Sequence, residues 1–312
     1  MLPPGFALGH WHDEEACTGC SVLLPPPGTV GSCDVRGSSP GSRELALLSP
    51  VRKMQEVHAL LLTGGSAFGL AAADGVMRFL EESDRGYATP WGRVPIVPAA
   101  VIYDLNCGTP AVRPTAESGY RAARAAGGDH LEDGSVGAGM GATVGKWAGI
   151  DHRMRGGLGL SSIVEGSLVV SAVAVVNAVG DVLGEGGAPL AGARDPSGAW
   201  SVARDPMRKL GLDQFPAAEI QNTTLIALLS NARLSKLEAY RMAQRGHDGM
   251  ARAIRPVHTA YDGDIVFALA SGQVEAPAEL LAELGAELTT RAIRRAVLAA
   301  RPAHGIGAAT AE

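Results

Sequence analysis

Short apolar runs punctuate the chain and alternate with segments of helical period. Val57–Leu62, Val94–Tyr103, Leu168–Val176, Thr223–Leu229 and Ile265–Ala270 have the length and composition of buried strands. Phe68–Glu82, Ala116–Ala126, Lys236–Arg252 and Ala278–Ala300 repeat their apolar positions every three to four residues, which predicts helices. Thr63-Gly64-Gly65-Ser66 reads as a strand-to-helix turn, with Ser66 as the helix cap. Strands and helices are interspersed and no internal repeat is visible. The expectation is an α/β or α+β fold, with two packed sheets flanked by helices.

One stretch resists this pattern. From Gly180 to about Ile220 the chain is rich in Gly, Pro and Asp and has no sustained period. A structureless run of that length inside a compact domain is normally functional. It ends at Gln221-Asn222-Thr223-Thr224, directly before an apolar strand. A cleavage site there would turn the run into a freed tail; a surface excursion is the alternative.

Composition narrows the class. The 312 residues are 46% hydrophobic and 19% charged, so a core is within reach and a disordered chain is not expected. A net charge of −5 lacks the basic surplus of a nucleic-acid binder. The longest apolar stretch, Leu168 to Val179, is broken by Ser171 and Asn177 and is too short to span a bilayer as a helix. The first residues carry neither a basic nor an apolar signal region, so a cytoplasmic location is expected, and with it reduced thiols at Cys17, Cys20, Cys33 and Cys107. Cys17-Thr18-Gly19-Cys20, with His10 and His12 upstream, raises a zinc site. A second such pair is missing and Cys20 leads into an apolar run, so packing is the expected role and no metal or other cofactor is expected.

Several nucleotide and hydrolase signatures fail. In the glycine run Gly134 to Lys146 a phosphate loop would need Gly and Ser or Thr where Met140 and Trp147 stand. The dinucleotide pattern breaks at Ala142, and neither HExxH nor GxSxG occurs.

What survives is an ordered set of motifs: LLTGGSAFGLAAADGVMRFLEE, GAGMGATVGKW, VVNAVGDVLG, QNTTL and GHDGMARAIRPVHTAYDGDIVFALASG. Over roughly Gly19 to Gly272 the chain resembles the self-processing L-aminopeptidase/D-esterase-amidases, a group that includes β-peptidyl aminopeptidases and endo-type nylon-oligomer hydrolases. Many members carry Ser at the nucleophile position. Asn222-Thr223 is more similar to the nylon-oligomer branch. The resemblance implies an αββα sandwich and one domain, residues 1–312, made as a precursor. It also implies self-cleavage between Asn222 and Thr223 into an α subunit (1–222) and a β subunit (223–312). The processed unit would assemble as a homo-oligomer, a tetramer of αβ units, and act on small amides or oligoamides such as short peptides, amino-acid amides or 6-aminohexanoate oligomers.

The residue types suit that chemistry. A hydroxyl after the scissile bond can attack the preceding carbonyl and give an ester that water hydrolyses. The amine released on Thr223, with an ordinary pKa of about 7.7–8.0, can then serve its own hydroxyl as base. Asp262 and Asp264 sit at i and i+2, where two carboxylates could hold that amine as a cation or orient the hydroxyl; an acidic solvated turn is the alternative. The resemblance assigns the pair to a relay to the nucleophile, and places Lys146 and Tyr103 in the active site. Asn177, closing an apolar run, can donate to an oxyanion without titrating. His247, His258 and His304 need no role in this scheme, Trp91, Trp147 and Phe68 are expected to pack, and the last dozen residues to fray. An acyltransferase of the ornithine acetyltransferase type would use the same Thr nucleophile with an amine in place of water. A non-cleaving binding module and a zinc protein built on Cys17 and Cys20 are the remaining rivals.

Overall fold

In the computed structural model, residues 1–128, 131–194, 199–200 and 222–309 are described. Ten strands form the two main sheets: β1 (Ala7–Asp13), β2 (Thr18–Leu24), β3 (Val30–Val35), β4 (Ser42–Arg43), β5 (Leu60–Thr63), β6 (Ala99–Val101), β7 (Gly157–Glu165), β8 (Leu168–Asn177), β9 (Thr223–Ala232) and β10 (Ile265–Val274). The first sheet runs β1-β2-β5-β6-β4 and the second β7-β8-β9-β10-β3. Helices α1 (Ala72–Glu82) and α2 (Ala116–Arg124) cover the first sheet, and α3 (Lys236–Ala253) and α4 (Ala278–Leu298) cover the second.

Alternation along β9 shows how the layers form. Leu225, Ala227 and Leu229 face the first sheet and pack with Leu23, Leu60, Leu62 and Phe267. Ile226 and Leu228 point the other way, to Met242, Leu281, Leu284 and Leu288 of the helices. Every residue of β9 is buried and its middle, Leu225 to Leu229, is continuously apolar, so the strand shows no polar alternation in sequence. Between β9 and β10 the chain crosses through α3, which makes the pair parallel, while β8 and β9 run antiparallel. Ser235 and Glu238 cap α3 reciprocally, and Thr115 and Ser118 do the same for α2. The αββα sandwich expected from the sequence is the fold observed. Among the described residues no helix is long and apolar enough to cross a membrane.

Local expectations fail where tertiary contacts override them. Ser66 is not a cap: Gly65, at φ 78°, takes that position, and its N–H is satisfied by Asp104 Oδ1 at 2.7 Å. The helix expected from Phe68 begins as a 3-10 segment, Ser66–Ala71, before α1. Only Ala99–Val101 of Val94–Tyr103 joins the sheet, because Pro95 and Pro98 cannot donate to a ladder. The irregular run after Gly180 starts with a paired hairpin, Asp181–Leu183 against Pro189–Ala191, while its residues 201–221 lie outside the described residues. Strands β1, β3 and β7 were not anticipated. Trp91 and Phe68 are exposed, not packed, whereas Trp147 is buried and donates to Asp181 Oδ1 at 2.9 Å. The tail holds through residue 309: Ile306 packs on Cys17 and Cys107, and Gly307 O accepts from Arg155 N at 2.7 Å. Cys17 and Cys107 are not free thiols. They are joined as a disulfide across 90 residues, with Cα atoms 5.8 Å apart, because the β1–β2 turn lies against the segment after β6. Cys20 and Cys33 remain thiols, and burial pushes both up to about 12, which leaves them inert.

Candidate active site

The end of β8, the start of β9 and the lead into β10 meet at one corner of the second sheet. The antiparallel register sets Asn177 opposite Thr223. The parallel register sets Leu225 opposite Ile265, and the same offset continues outward as a bridge between Asn222 and Asp262. Thr223 therefore enters the sheet beside the Asp262-Gly263-Asp264 turn.

Contacts at the Asn222–Thr223 bond are specific. The Asn222 carbonyl oxygen accepts the Gly263 N–H at 2.9 Å and also the hydroxyl of Thr223. Asn222 N donates to Tyr261 O at 3.1 Å. Thr223 is buried yet borders a cavity of about 250 Å³, shared with Asn222, Tyr103, Tyr261, Ser66 and Val101. A larger depression of about 660 Å³, lined by Asp133, Arg291 and Arg295, contains none of these groups. The smaller cavity is the one with chemistry in its wall.

The two acids are held differently. Asp264 Oδ1 accepts the Thr224 N–H at 2.7 Å. Asp262 Oδ2 accepts from Thr259 N at 2.9 Å and Thr259 Oγ1 at 2.6 Å, and its Oδ1 from Val179 N at 3.3 Å. Burial, and then the charge of Asp264, pushes Asp262 up to about 6. Neither acid is the solvated turn residue of the alternative reading; both are 1% exposed.

Asn177 is the hub. Its Oδ1 accepts from Thr143 N at 3.0 Å and from Lys146 Nζ at 2.7 Å, and its Nδ2 donates to Tyr103 O at 3.1 Å. Lys146 is wholly buried, and burial holds its amine well below the ordinary 10.5, with Asp262 and Asp104 opposing. It sits on a 3-10 turn that opens at Gly145, where φ is 74° and an added Cβ would stand 2.2 Å from the Gly192 carbonyl carbon. Thr223, Asp262, Asp264, Asn177, Lys146 and Tyr103 are thus brought together.

Sequence reasoning missed two participants. His258 Nδ1 lies 2.8 Å from Asp264 Oδ2. Asp104, pushed up to about 6 by burial, braces the pocket wall through Thr18 Oγ1 and Gly65 N, each at 2.7 Å. Asp104 directly follows Tyr103, a proximity that could have flagged it; nothing local pointed to His258.

Comparison with known proteins identifies the family. Residues 4–311 match the model of peptidase family S58. An uncharacterised aminopeptidase of Mycobacterium leprae is 44% identical over 97% of this chain and 90% of its own length. A 6-aminohexanoate-oligomer endohydrolase of Agromyces sp. is 33% identical over 88% of this chain and 75% of its own. Among solved structures, a Burkholderia sp. beta-aminopeptidase superposes with a TM-score of 0.72 at 21% identity, covering 98% of this chain and 88% of that one. The L-aminopeptidase D-Ala-esterase/amidase of Ochrobactrum anthropi, described as a variant of the Ntn hydrolase fold, gives 0.69 at 15% identity, covering 96% and 85%. The chain belongs to peptidase family S58 and is a hydrolase acting on amide bonds.

Proposed function

We propose that this chain cuts itself between Asn222 and Thr223 and then hydrolyses short linear amides through an acyl-enzyme on Thr223. The observation that carries this reading is the convergence of the Thr223 hydroxyl and the Gly263 N–H on the Asn222 carbonyl oxygen. Attack of Thr223 Oγ on the Asn222 carbonyl carbon would form a C–O bond and pass the hydroxyl proton to the Asp262–Asp264 pair. Gly263 N–H would hold the oxyanion. Collapse breaks the C–N bond, the nitrogen takes the proton back, and an ester links Asn222 to Thr223 Oγ. Water then hydrolyses the ester, leaving the Asn222 carboxylate and a free Thr223 amine.

In the processed unit that amine takes the proton from Thr223 Oγ as a substrate carbonyl is attacked, and returns it to the leaving amine. Asn177 Nδ2 has a second N–H beyond the one given to Tyr103 O, available to a substrate oxyanion. Lys146, whose amine burial holds well below its ordinary range, orients the Asn177 amide through Oδ1. Tyr103 lines the acyl pocket. Identity to relatives named aminopeptidase and 6-aminohexanoate-oligomer endohydrolase supports short peptides, amino-acid amides or 6-aminohexanoate oligomers as substrates. The working form would be a cytoplasmic homo-oligomer, a tetramer of αβ units, without a cofactor.

Intact mass spectrometry of freshly purified protein beside Thr223→Ala tests the reading. Wild type should give residues 1–222 and 223–312 as two polypeptides and the variant one. An uncut wild-type chain would overturn the mechanism. Release of free amine from a 6-aminohexanoate oligomer, measured with and without an added amine acceptor such as ornithine or glutamate, separates hydrolysis from acyl transfer.

A further inference from the structure

Asp264 and Asp262 form a buried acidic pair beside Thr223. The contacts supply an asymmetry. Asp264 Oδ2 faces His258 twice, through the backbone N–H at 3.2 Å and ring Nδ1 at 2.8 Å, while its Oδ1 holds Thr224 N–H. An ionised carboxylate only accepts, so this bond requires the proton on His258 Nδ1. His258 has φ 54°, in the left-handed region, which aims its N–H and its ring at the same oxygen. The other side of the ring meets His247 edge to face, with centroids 4.7 Å apart, and His247 Nε2 is anchored on Asp34 O at 3.1 Å. Burial lowers His247 to about 4, so the support is a neutral ring.

We propose that His258 is a positioning residue for the Thr223 nucleophile: its ring Nδ1–H and backbone N–H hold Asp264 Oδ2 and fix that carboxylate on Thr224 N–H, beside Thr223. This rests on Thr223 being the nucleophile. The titratable and charged groups around the pair are His258, Lys146 near Asp262 and, beyond His247, Asp34 and Arg36.

The test pairs His258→Ala with His258→Asn. Asparagine tolerates positive φ and sets a side-chain N–H where Nδ1–H stands; alanine has neither property. Losing a charge-assisted hydrogen bond should slow self-cleavage and lower kcat about 10- to 100-fold in His258→Ala, with KM nearly unchanged. His258→Asn should recover most of that loss. Activity of His258→Ala within about threefold of wild type, or equal failure of both variants, overturns the proposal. Nitrogen-15 imidazole NMR of the full-length protein gives a readout independent of turnover and of variant folding. Nδ1 of His258 should carry the proton at neutral pH, and Asp264→Ala should remove that tautomer preference. An unprotonated Nδ1, or a tautomer indifferent to Asp264, overturns the proposal even if processing occurs. An uncut wild type with a protonated, Asp264-dependent Nδ1 removes the self-cleavage reading and leaves the His258–Asp264 contact standing without a reaction to serve, which overturns its positioning role.

Discussion

Replacing Gly263 by Ala tests the cleavage geometry with a single methyl group. The backbone there is not in the left-handed region, so alanine brings no conformational strain of its own. The added Cβ would stand 2.7 Å from Thr223 Oγ1, 2.7 Å from Ser39 O and 3.1 Å from Pro40 Cα. An ordinary carbon–oxygen contact needs about 3.2 Å or more, so each oxygen must give way by about half an ångström. The cheapest escape is rotation of the Thr223 side chain, which carries its hydroxyl off the Asn222 carbonyl. A displacement near 1 Å at reacting atoms costs about 100-fold in rate. The overpacking itself costs about 1–3 kcal/mol, and the variant should still fold. The assay is a time course of intact mass after translation in a cell-free system, beside circular dichroism melting of the purified variant. A folded Gly263→Ala chain that cuts itself within about threefold of the wild-type rate would refute the placement of the hydroxyl and the Gly263 N–H on one carbonyl.

Further outcomes follow from the buried groups. Lys146→Met should lower amide-hydrolysis kcat about 100-fold and cost about 1–3 kcal/mol of stability, because it takes the Lys146 donor from the buried Asn177 Oδ1; a melting curve beside steady-state kinetics checks both. Asp181, pushed by burial from 3.8 up to about 6, binds more protons folded than unfolded between those values, so its contribution worsens as pH rises through them. Asp181→Asn keeps an Oδ1 for Trp147 Nε1 and Ala193 N and should gain on wild type by about 1.4 kcal/mol per pH unit over that window; melting of both proteins at pH 4.5, 6 and 7.5 reads the gap. The Cys17–Cys107 link closes a loop spanning 90 residues, so Cys107→Ser should cost about 4 kcal/mol in denaturant unfolding, and reductant should lower wild type but not the variant.

Much of the architecture was legible because buried strands and amphipathic helices write themselves locally. The apolar runs at Leu168–Val176 and Ile265–Ala270 are β8 and β10, and the four helical periods are α1 to α4. The misses share one cause, which is that a distant contact decided a local question. Asp104 satisfies the turn that Ser66 was expected to cap, and Cys107 meets Cys17 across 90 residues. β1 and β7 alternate too weakly to announce themselves, since half of each is only partly buried. Five of the six candidate residues lie in the matched motifs and Tyr103 was placed by the resemblance alone, and their convergence is visible only once the register of β8, β9 and β10 is known. His258, six residues before Asp264, was passed over because a histidine in a loop carries no directional signal until the left-handed backbone turns it back.

The proposed cut also suits the sheet that surrounds it. β9 is the middle strand of five, paired to β8 from Thr223 onward and to β10 from Leu225 onward. Hydrolysis of the Asn222–Thr223 bond removes none of those rungs, and puts at risk only the Asn222 contacts to Tyr261 and Gly263. The products would still be interleaved: β3, β7 and β8 would belong to the first fragment and β9 and β10 to the second, with α3 and α4 covering all five. Separating them would expose Ile226, Leu228, Val173, Val175 and Phe267, all completely buried. At about 1.5–3 kcal/mol for each such side chain, these five alone match the net stability of an ordinary domain. The fragments should therefore elute together in native size exclusion, survive dilution, and part only in denaturant, in a single transition seen by both tryptophan fluorescence and far-ultraviolet dichroism. Dissociation in native buffer would mean that the second sheet does not hold its middle strand as described.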